Sequence, residues 1–145
     1  MKTTLRHELP RQTAIISRRW RARLDERLRH LGMTQARWHS LLELSKAPEG
    51  VTQRELAERV GVEGPTLVRQ LDELERQGLV ERCPVEGDRR AKNVRLTARA
   101  EPLIGEMMGV ADALRAELLQ DVSDEEIALV VEVFRRVSAR LDGNE

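Results

Sequence analysis

The sequence predicts a mainly α-helical chain with a small β-wing, arranged as a winged helix-turn-helix flanked by N- and C-terminal dimerisation helices. Three observations lead there. Leucines and valines recur every three or four residues along most of the chain, the spacing of one buried helix face. Aromatic residues are only 2% of the sequence while charged residues are 34%, which suits a helical core of Leu, Val and Ile better than a strand-rich one. Between Leu79 and Thr97 the helical period gives way to alternation and turn residues, the pattern of a hairpin. The expected division is 34–97 for the winged helix, with 1–33 and 98–145 as dimerisation helices.

The elements follow in order. A first helix is expected from about Pro10 to His30, with Ile16, Trp20, Leu24, Leu28 and Leu31 as its apolar stripe and Gly32 as its C-terminal cap. Thr34 opens a second helix through Lys46, carrying Trp38, Leu41, Leu42 and Leu44, and Pro48-Glu49-Gly50 ends it. Thr52 and Glu55 have the spacing of a capping box, and the helix they open buries Leu56, Ala57 and Val60. After the short turn Gly61–Gly64, Pro65 suits the first turn of the next helix, where its missing N–H has no intrahelical partner anyway. Leu67, Val68, Leu71 and Leu74 point inward there, and Thr66, Arg69, Gln70 and Glu73 share the other side.

Gly78 stops that helix, and Leu79–Arg82 begins a strand whose partner carries Val94, Arg95 and Leu96. Pro84, Gly87 and Asp88 supply turn chemistry between them. Thr97 is expected to cap a fifth helix with Leu103, Met107, Val110, Leu114 and Leu118 on one face, irregular near Pro102. Ser123 with Glu126 is a second capping box, opening a last helix with Ile127, Val130, Phe134, Val137 and Leu141. The terminal helices carry more apolar surface than a small winged helix can cover. A second copy of the chain, packed two-fold, is the expected cover; an intramolecular bundle is the alternative.

The net charge is zero, yet the charges are segregated. Nine Lys/Arg against three acids occupy residues 1–30, and five against two occupy 82–95, whereas 121–145 holds seven acids against three arginines. Fields act over about 8 Å at physiological salt, so one face of a neutral chain can still attract phosphate. A recognition helix presents its N-terminal residues to base edges, here Pro65, Thr66, Arg69 and Gln70. Arg69 can pair in bidentate fashion with guanine, or alternatively form a surface ion pair with Glu73. Thr52 and Gln53, at another helix start, are placed to hold a phosphate. Asp88, Arg89, Arg90 and Lys92 form a charged tip: one arginine is expected to pair with Asp88, and another to enter a minor groove.

With these residues in view, the chain resembles the MarR family of bacterial transcription regulators, and its SlyA-like branch in particular. The resemblance is densest in LAERVGVEGPTLVRQLDELERQGLVER (56–82) and DRRAKNVRLTARAEPLIGEM (88–107). It implies a homodimer on double-stranded DNA at a palindromic operator, acting as a repressor and sometimes as an activator or counter-silencer. By position it places Pro65, Thr66 and Arg69 among base-reading residues, Arg90 in the minor groove and Asp88 as the wing carboxylate. It further implies a small aromatic carboxylate effector that releases DNA. Arg18, Trp20 and Trp38 match positions lining that region, the alternative for the tryptophans being plain core.

Other classes fit less well. His7, His30 and His39 are scattered, no motif spacing supports a metal site or a phosphate loop, and an enzyme is not expected; nor is a cofactor. Cys83 is the lone cysteine, so a disulfide framework is excluded and a reducing cytoplasm is the default. Redox-sensing relatives carry their cysteine near the N-terminus, unlike this chain. No stretch approaches a membrane span. A winged-helix protein-interaction module is the remaining alternative, and exposed Arg69, Arg89 and Arg90 argue against it.

Overall fold

The computed structural model describes residues 4–143. Helices α1 (Leu5–Arg29) and α2 (Gln35–Ser45) precede strand β1 (Val51–Thr52), then come α3 (Gln53–Val60), α4 (Gly64–Arg76), strands β2 (Val80–Val85) and β3 (Asp88–Leu96), and helices α5 (Glu101–Leu118) and α6 (Asp124–Leu141). A 3-10 turn at Ala98–Ala100 leads into α5. The mainly α fold with a small antiparallel sheet is the class the sequence predicts, and β3 is the central strand, between β1 and β2. The backbone forms two compact units, Met1–Val110 and Ala111–Glu145.

Helix α1 begins five residues before the expected Pro10, because the Thr4 carbonyl accepts the His7 and Glu8 N–H groups at 2.9 and 3.1 Å and starts the turn early. Pro10 then lies inside the helix and costs one hydrogen bond, to the Arg6 carbonyl. Of the expected stripe, Leu24 and Leu28 are buried and Ile16 is exposed. Gly32 turns the chain at φ +72°. The Thr34 hydroxyl caps α2 by accepting the Arg37 N–H, and Trp38, Leu41 and Leu44 are buried.

β1 is a strand the sequence did not announce. Val51 pairs with Val94 and Thr52 with Asn93 of β3, so the α2–α3 connection is stitched to the returning wing strand. Gly50 makes this approach feasible: its φ is +90°, and a Cβ there would come within 2.7 Å of the Val94 carbonyl. Thr52 accepts the Glu55 N–H at 3.1 Å. The expected reciprocal bond from Glu55 is absent: Thr52 belongs to the sheet and Glu55 faces solvent. Only Leu56 of α3 is fully buried, while Ala57 and Val60 are half-covered.

Gly61, at φ +78°, ends α3, and Pro65 sits in the first turn of α4. Leu67, Leu71 and Leu74 are buried to 1% exposure or less, whereas Val68, expected inward, is exposed. A three-residue heptad-like spacing of 67, 71 and 74 suffices to seat one face; position 68 lies about 100° further round the axis. The wing turn itself is Glu86-Gly87. Pro84 and Asp88 are strand residues, not turn residues, because the ladder continues past them: Pro84 pairs with Lys92 and Val85 with Asp88. Arg89, Arg90 and Ala91 therefore form a bulge without cross-strand partners.

Thr97 does not cap a helix through its side chain. Its hydroxyl donates to the Gly78 carbonyl at 2.5 Å, tying the end of α4 to the end of β3, and the 3-10 turn supplies the irregularity expected near Pro102. In the second unit Leu114 is buried. The Ser123–Glu126 capping box at the start of α6 is complete in both directions. No residue of α6 is buried, and Val130, Phe134, Val137 and Leu141 stand 40–83% exposed.

Candidate nucleic-acid interface

Helix α4 is the natural centre of the site. Its leucine face fixes it to the body of the first unit, which turns Pro65, Thr66, Arg69 and Gln70 outward. Pro65 and Arg69 are exposed, Thr66 and Gln70 half-buried. Arg69 makes no ion pair with Glu73. That carboxylate instead takes Arg76 and the Gln77 amide, and Asp72 and Glu75 take Arg82. With each nearby acid engaged elsewhere, the Arg69 guanidinium has no partner among the described residues and all five donors are available.

The wing presents a second group. The Asp88 carboxylate accepts the Arg90 backbone N–H at 2.9 Å, which stiffens the bulge, and it pairs with neither arginine side chain as had been expected. A backbone donor two residues on is closer than a flexible guanidinium, the usual geometry of an Asp turn. Arg89, Arg90 and Lys92 are exposed, without side-chain partners among the described residues.

A cleft of about 850 Å³ runs between α3, the α3–α4 turn, α4 and the wing. Thr52, Gln53, Asp88, Arg90 and Lys92 line it, joined by Arg54 and Glu58 of α3. Five of the ten expected contact residues thus share one concave surface. Pro65, Thr66, Arg69, Gln70 and Arg89 lie outside it. The side-chain oxygens of Gln53 and Gln70 are buried without hydrogen-bond partners among the described residues. Such an array, with cations and amides spread over a helix face and a bulged strand, can engage phosphate oxygens and planar acceptor edges together.

Arg82 adds to the cation count of segment 82–95, but its task lies elsewhere. It is largely covered, with 17% side-chain exposure, and donates to Asp72 Oδ1 at 2.5 Å and to both Glu75 oxygens at 3.1 and 3.3 Å. The hydrogen bond from Arg82 holds the Glu75 carboxyl below its ordinary range, and Glu75 in turn raises Arg82. The pair fastens α4 to β2. Sequence reasoning missed it, although acids at i and i+3 followed by an arginine on the next strand are a readable signal. It missed Arg54 too, which no motif marks.

The expected effector residues separate. Arg18 lines a groove of about 490 Å³ with Arg21, Asp25, Arg29 and Gln35. Trp20 and Trp38 line another, of about 350 Å³, with Leu24, His39 and Lys46; Ser17 and Arg21 border both. Trp38 is 3% exposed and its indole N–H donates to Asp25 Oδ1 at 3.2 Å, as a core tryptophan does. His39 is held below its ordinary pKa, mainly by burial and then by Arg21, with Lys46 adding and Glu43 opposing.

A helix-turn-helix followed by a bulged cationic hairpin defines the class: a winged-helix protein. The model of the MarR family matches residues 31–91. The chain is similar to the transcriptional regulator PA3341 at 48% identity, covering 93% of this chain and 98% of that one with a TM-score of 0.84. It is similar to a MarR structure at 30% identity, covering 92% and 96%, TM-score 0.71. A MarR-family transcriptional regulator from Silicibacter pomeroyi is 26% identical over 94% and 92%, TM-score 0.82. The chain belongs to the MarR family of transcriptional regulators. No described helix is long and apolar enough to cross a membrane.

Proposed function

We propose that the chain is a sequence-specific double-stranded DNA-binding transcription regulator of the SlyA-like branch, a homodimeric repressor acting on a palindromic operator in the bacterial cytoplasm. Residues 34–97 would make the DNA-binding domain, and 1–33 with 98–145 the dimerisation helices. The observation that carries the reading is the unpaired Arg69 on the outward face of α4, with the acids that follow it in the helix, Asp72, Glu73 and Glu75, engaged elsewhere. A guanidinium left free in the N-terminal half of a helix sized for the major groove suits bidentate pairing with guanine. Pro65 and the Thr66 methyl suit a thymine methyl, and Gln70 a base or phosphate. Arg89, Arg90 and Lys92 reach the minor groove and its phosphates from the bulge, while Thr52 and Gln53 hold the backbone at the start of α3. Two copies would read half-sites about 34–36 Å apart.

An effector reading is part of the same proposal: a small aromatic carboxylate lodged beside Trp20 and Trp38, with Arg21, which lines that groove where Arg18 does not, as the better counter-ion. Selection of bound fragments from a random DNA pool tests the core of the reading. An inverted repeat is expected, with affinity falling by roughly three orders of magnitude between 50 and 200 mM salt if six or more phosphates are neutralised. A pool that shows no enrichment, or affinity indifferent to salt, removes the proposal.

A further inference from the structure

Helix α4 is held on its inner face by leucines, and apolar contact is non-directional. Packed leucines hold the helix closely, yet they resist small rolls and slides less sharply than directional bonds do. A roll of about 10° carries a side-chain tip some 6 Å from the axis by about 1 Å, enough to spoil bidentate hydrogen bonds. Polar ties refine the angle that packing sets. Besides the Thr97–Gly78 bond just past the helix end, two side-chain ties grip the helix itself, and one is Arg82 of β2, on Asp72 and Glu75. The other comes from the opposite direction, from α2.

Arg37 lies in the first turn of α2, its backbone N–H fixed by the Thr34 cap. Its guanidinium spans to two places 40 and 5 residues away in sequence. One Nη donates to the side-chain oxygen of Gln77, the residue that ends α4. The other Nη donates to the carbonyl of Gly32 at 3.5 Å, at the α1–α2 corner. Gln77 passes the tie on: its amide NH₂ donates to Glu73 Oε1 at 2.9 Å, and Glu73 pairs with Arg76. Each partner fixes the polarity of the next, since an amide that gives its oxygen to Arg37 must give its nitrogen to Glu73. Position 77 lies about 140° round the helix from position 72, so the two ties grip different sides. A cation at the C-terminal end of α4 also complements the helix dipole.

We infer that Arg37 is a positioning residue for α4: through Gln77 it sets the rotation of the recognition helix relative to the α1–α2 corner, and so couples that corner to base discrimination. The part about base discrimination rests on the DNA reading above; the mechanical part does not. A planar fork is required, because a lysine ammonium is one point and cannot reach Gly32 and Gln77 as a fork does.

The full-length chain serves for the test, as wild type, Arg37→Met, Arg37→Lys, Gln77→Leu and the Arg37→Met/Gln77→Leu double variant. Hydrogen exchange without DNA reads the mechanical part. In Arg37→Met and Gln77→Leu the amides of the last turn of α4 should exchange about tenfold faster while those of α3 and β2 keep their rates. Uniform acceleration along the chain, or none, overturns the inference. Binding to the selected sequence against random DNA reads the rest. Each single variant should lose about tenfold on the selected site and keep its affinity for random DNA and its salt slope. The double variant should lose no more than one single does, and Arg37→Lys should not rescue. Equal losses on both DNAs, additive losses, or full rescue by lysine overturn it. A wild-type chain that prefers no DNA sinks the functional reading, and the exchange data then still decide whether Arg37 holds α4.

Discussion

Helices α4 and α6 carry the same kind of apolar stripe and treat it in opposite ways. In α4, Leu67, Leu71 and Leu74 are sealed within the first unit; in α6, Val130, Phe134, Val137 and Leu141 are open. The caps do not account for the difference. Helix α6 has the complete capping box and α4 has no side-chain cap. Local sequence thus makes both helices, but only in α4 does the same chain provide the cover. An apolar stripe left uncovered is the mark of a surface meant for another molecule, here proposed to be a second copy.

The contrast can be broken from the α4 side first. Leu71→Ala should cost about 2–5 kcal/mol of unfolding free energy, since it opens a cavity at a fully buried site. Denaturant titration with an unchanged midpoint would mean that α4 is not seated as described. On the α6 side, Phe134→Glu should leave the fold intact and weaken self-association by at least about 2 kcal/mol, as expected for a central aromatic at an interface. An unaltered dimer in sedimentation would free α6 of that role. At the outward face of α4, Arg69→Ala should relax base preference by about 1–3 kcal/mol at one position of the half-site; a uniform loss on every sequence would make it a phosphate contact only.

The smallest effect expected is at the tie between α4 and β2. Arg82→Ala should cost about 1 kcal/mol, discounted for the partly exposed carboxylates, and should alter the acid limb of stability. Glu75 has a folded pKa lowered by Arg82. Its contribution is therefore present above the ordinary value of 4.5 and is lost as pH falls from there through the lowered folded value. In Arg82→Ala this loss should vanish. If stability against pH keeps the wild-type shape below 4.5, the clamp is not the cause.

What was legible in the sequence was local. Thr34, Ser123, Gly61 and Gly78 mark helix ends through bonds made within a few residues, Pro65 through the N–H it lacks, and each stands where its chemistry demands. The helical class and the hairpin followed from periodicity. Illegible features depend on residues far apart in the chain. Strand β1 exists because Val51 meets Val94, and nothing in a two-residue segment announces that. Thr97 reads as a cap by its neighbours, yet Gly78, nineteen positions back, takes its hydroxyl. Val68 fits an apolar stripe and is left outside, because the stripe's width is set by what packs against it. The expected site residues were readable as types, while their division between the cleft, the helix face and two separate α1 grooves was not. Arg82 shows the limit best: a basic residue in a basic segment looks available until its carboxylate partners are seen.

The bulge of Arg89, Arg90 and Ala91 has one more consequence. The ladder is closed on both sides of it, at Pro84–Lys92 and Val85–Asp88. Residues can be inserted or deleted there without shifting the alternation of the flanking strands, and lengthening so short a loop carries little entropic penalty. How far the arginines extend is thereby uncoupled from how the body folds, which makes this spot the natural place to graft a longer or shorter arm onto an otherwise unaltered scaffold.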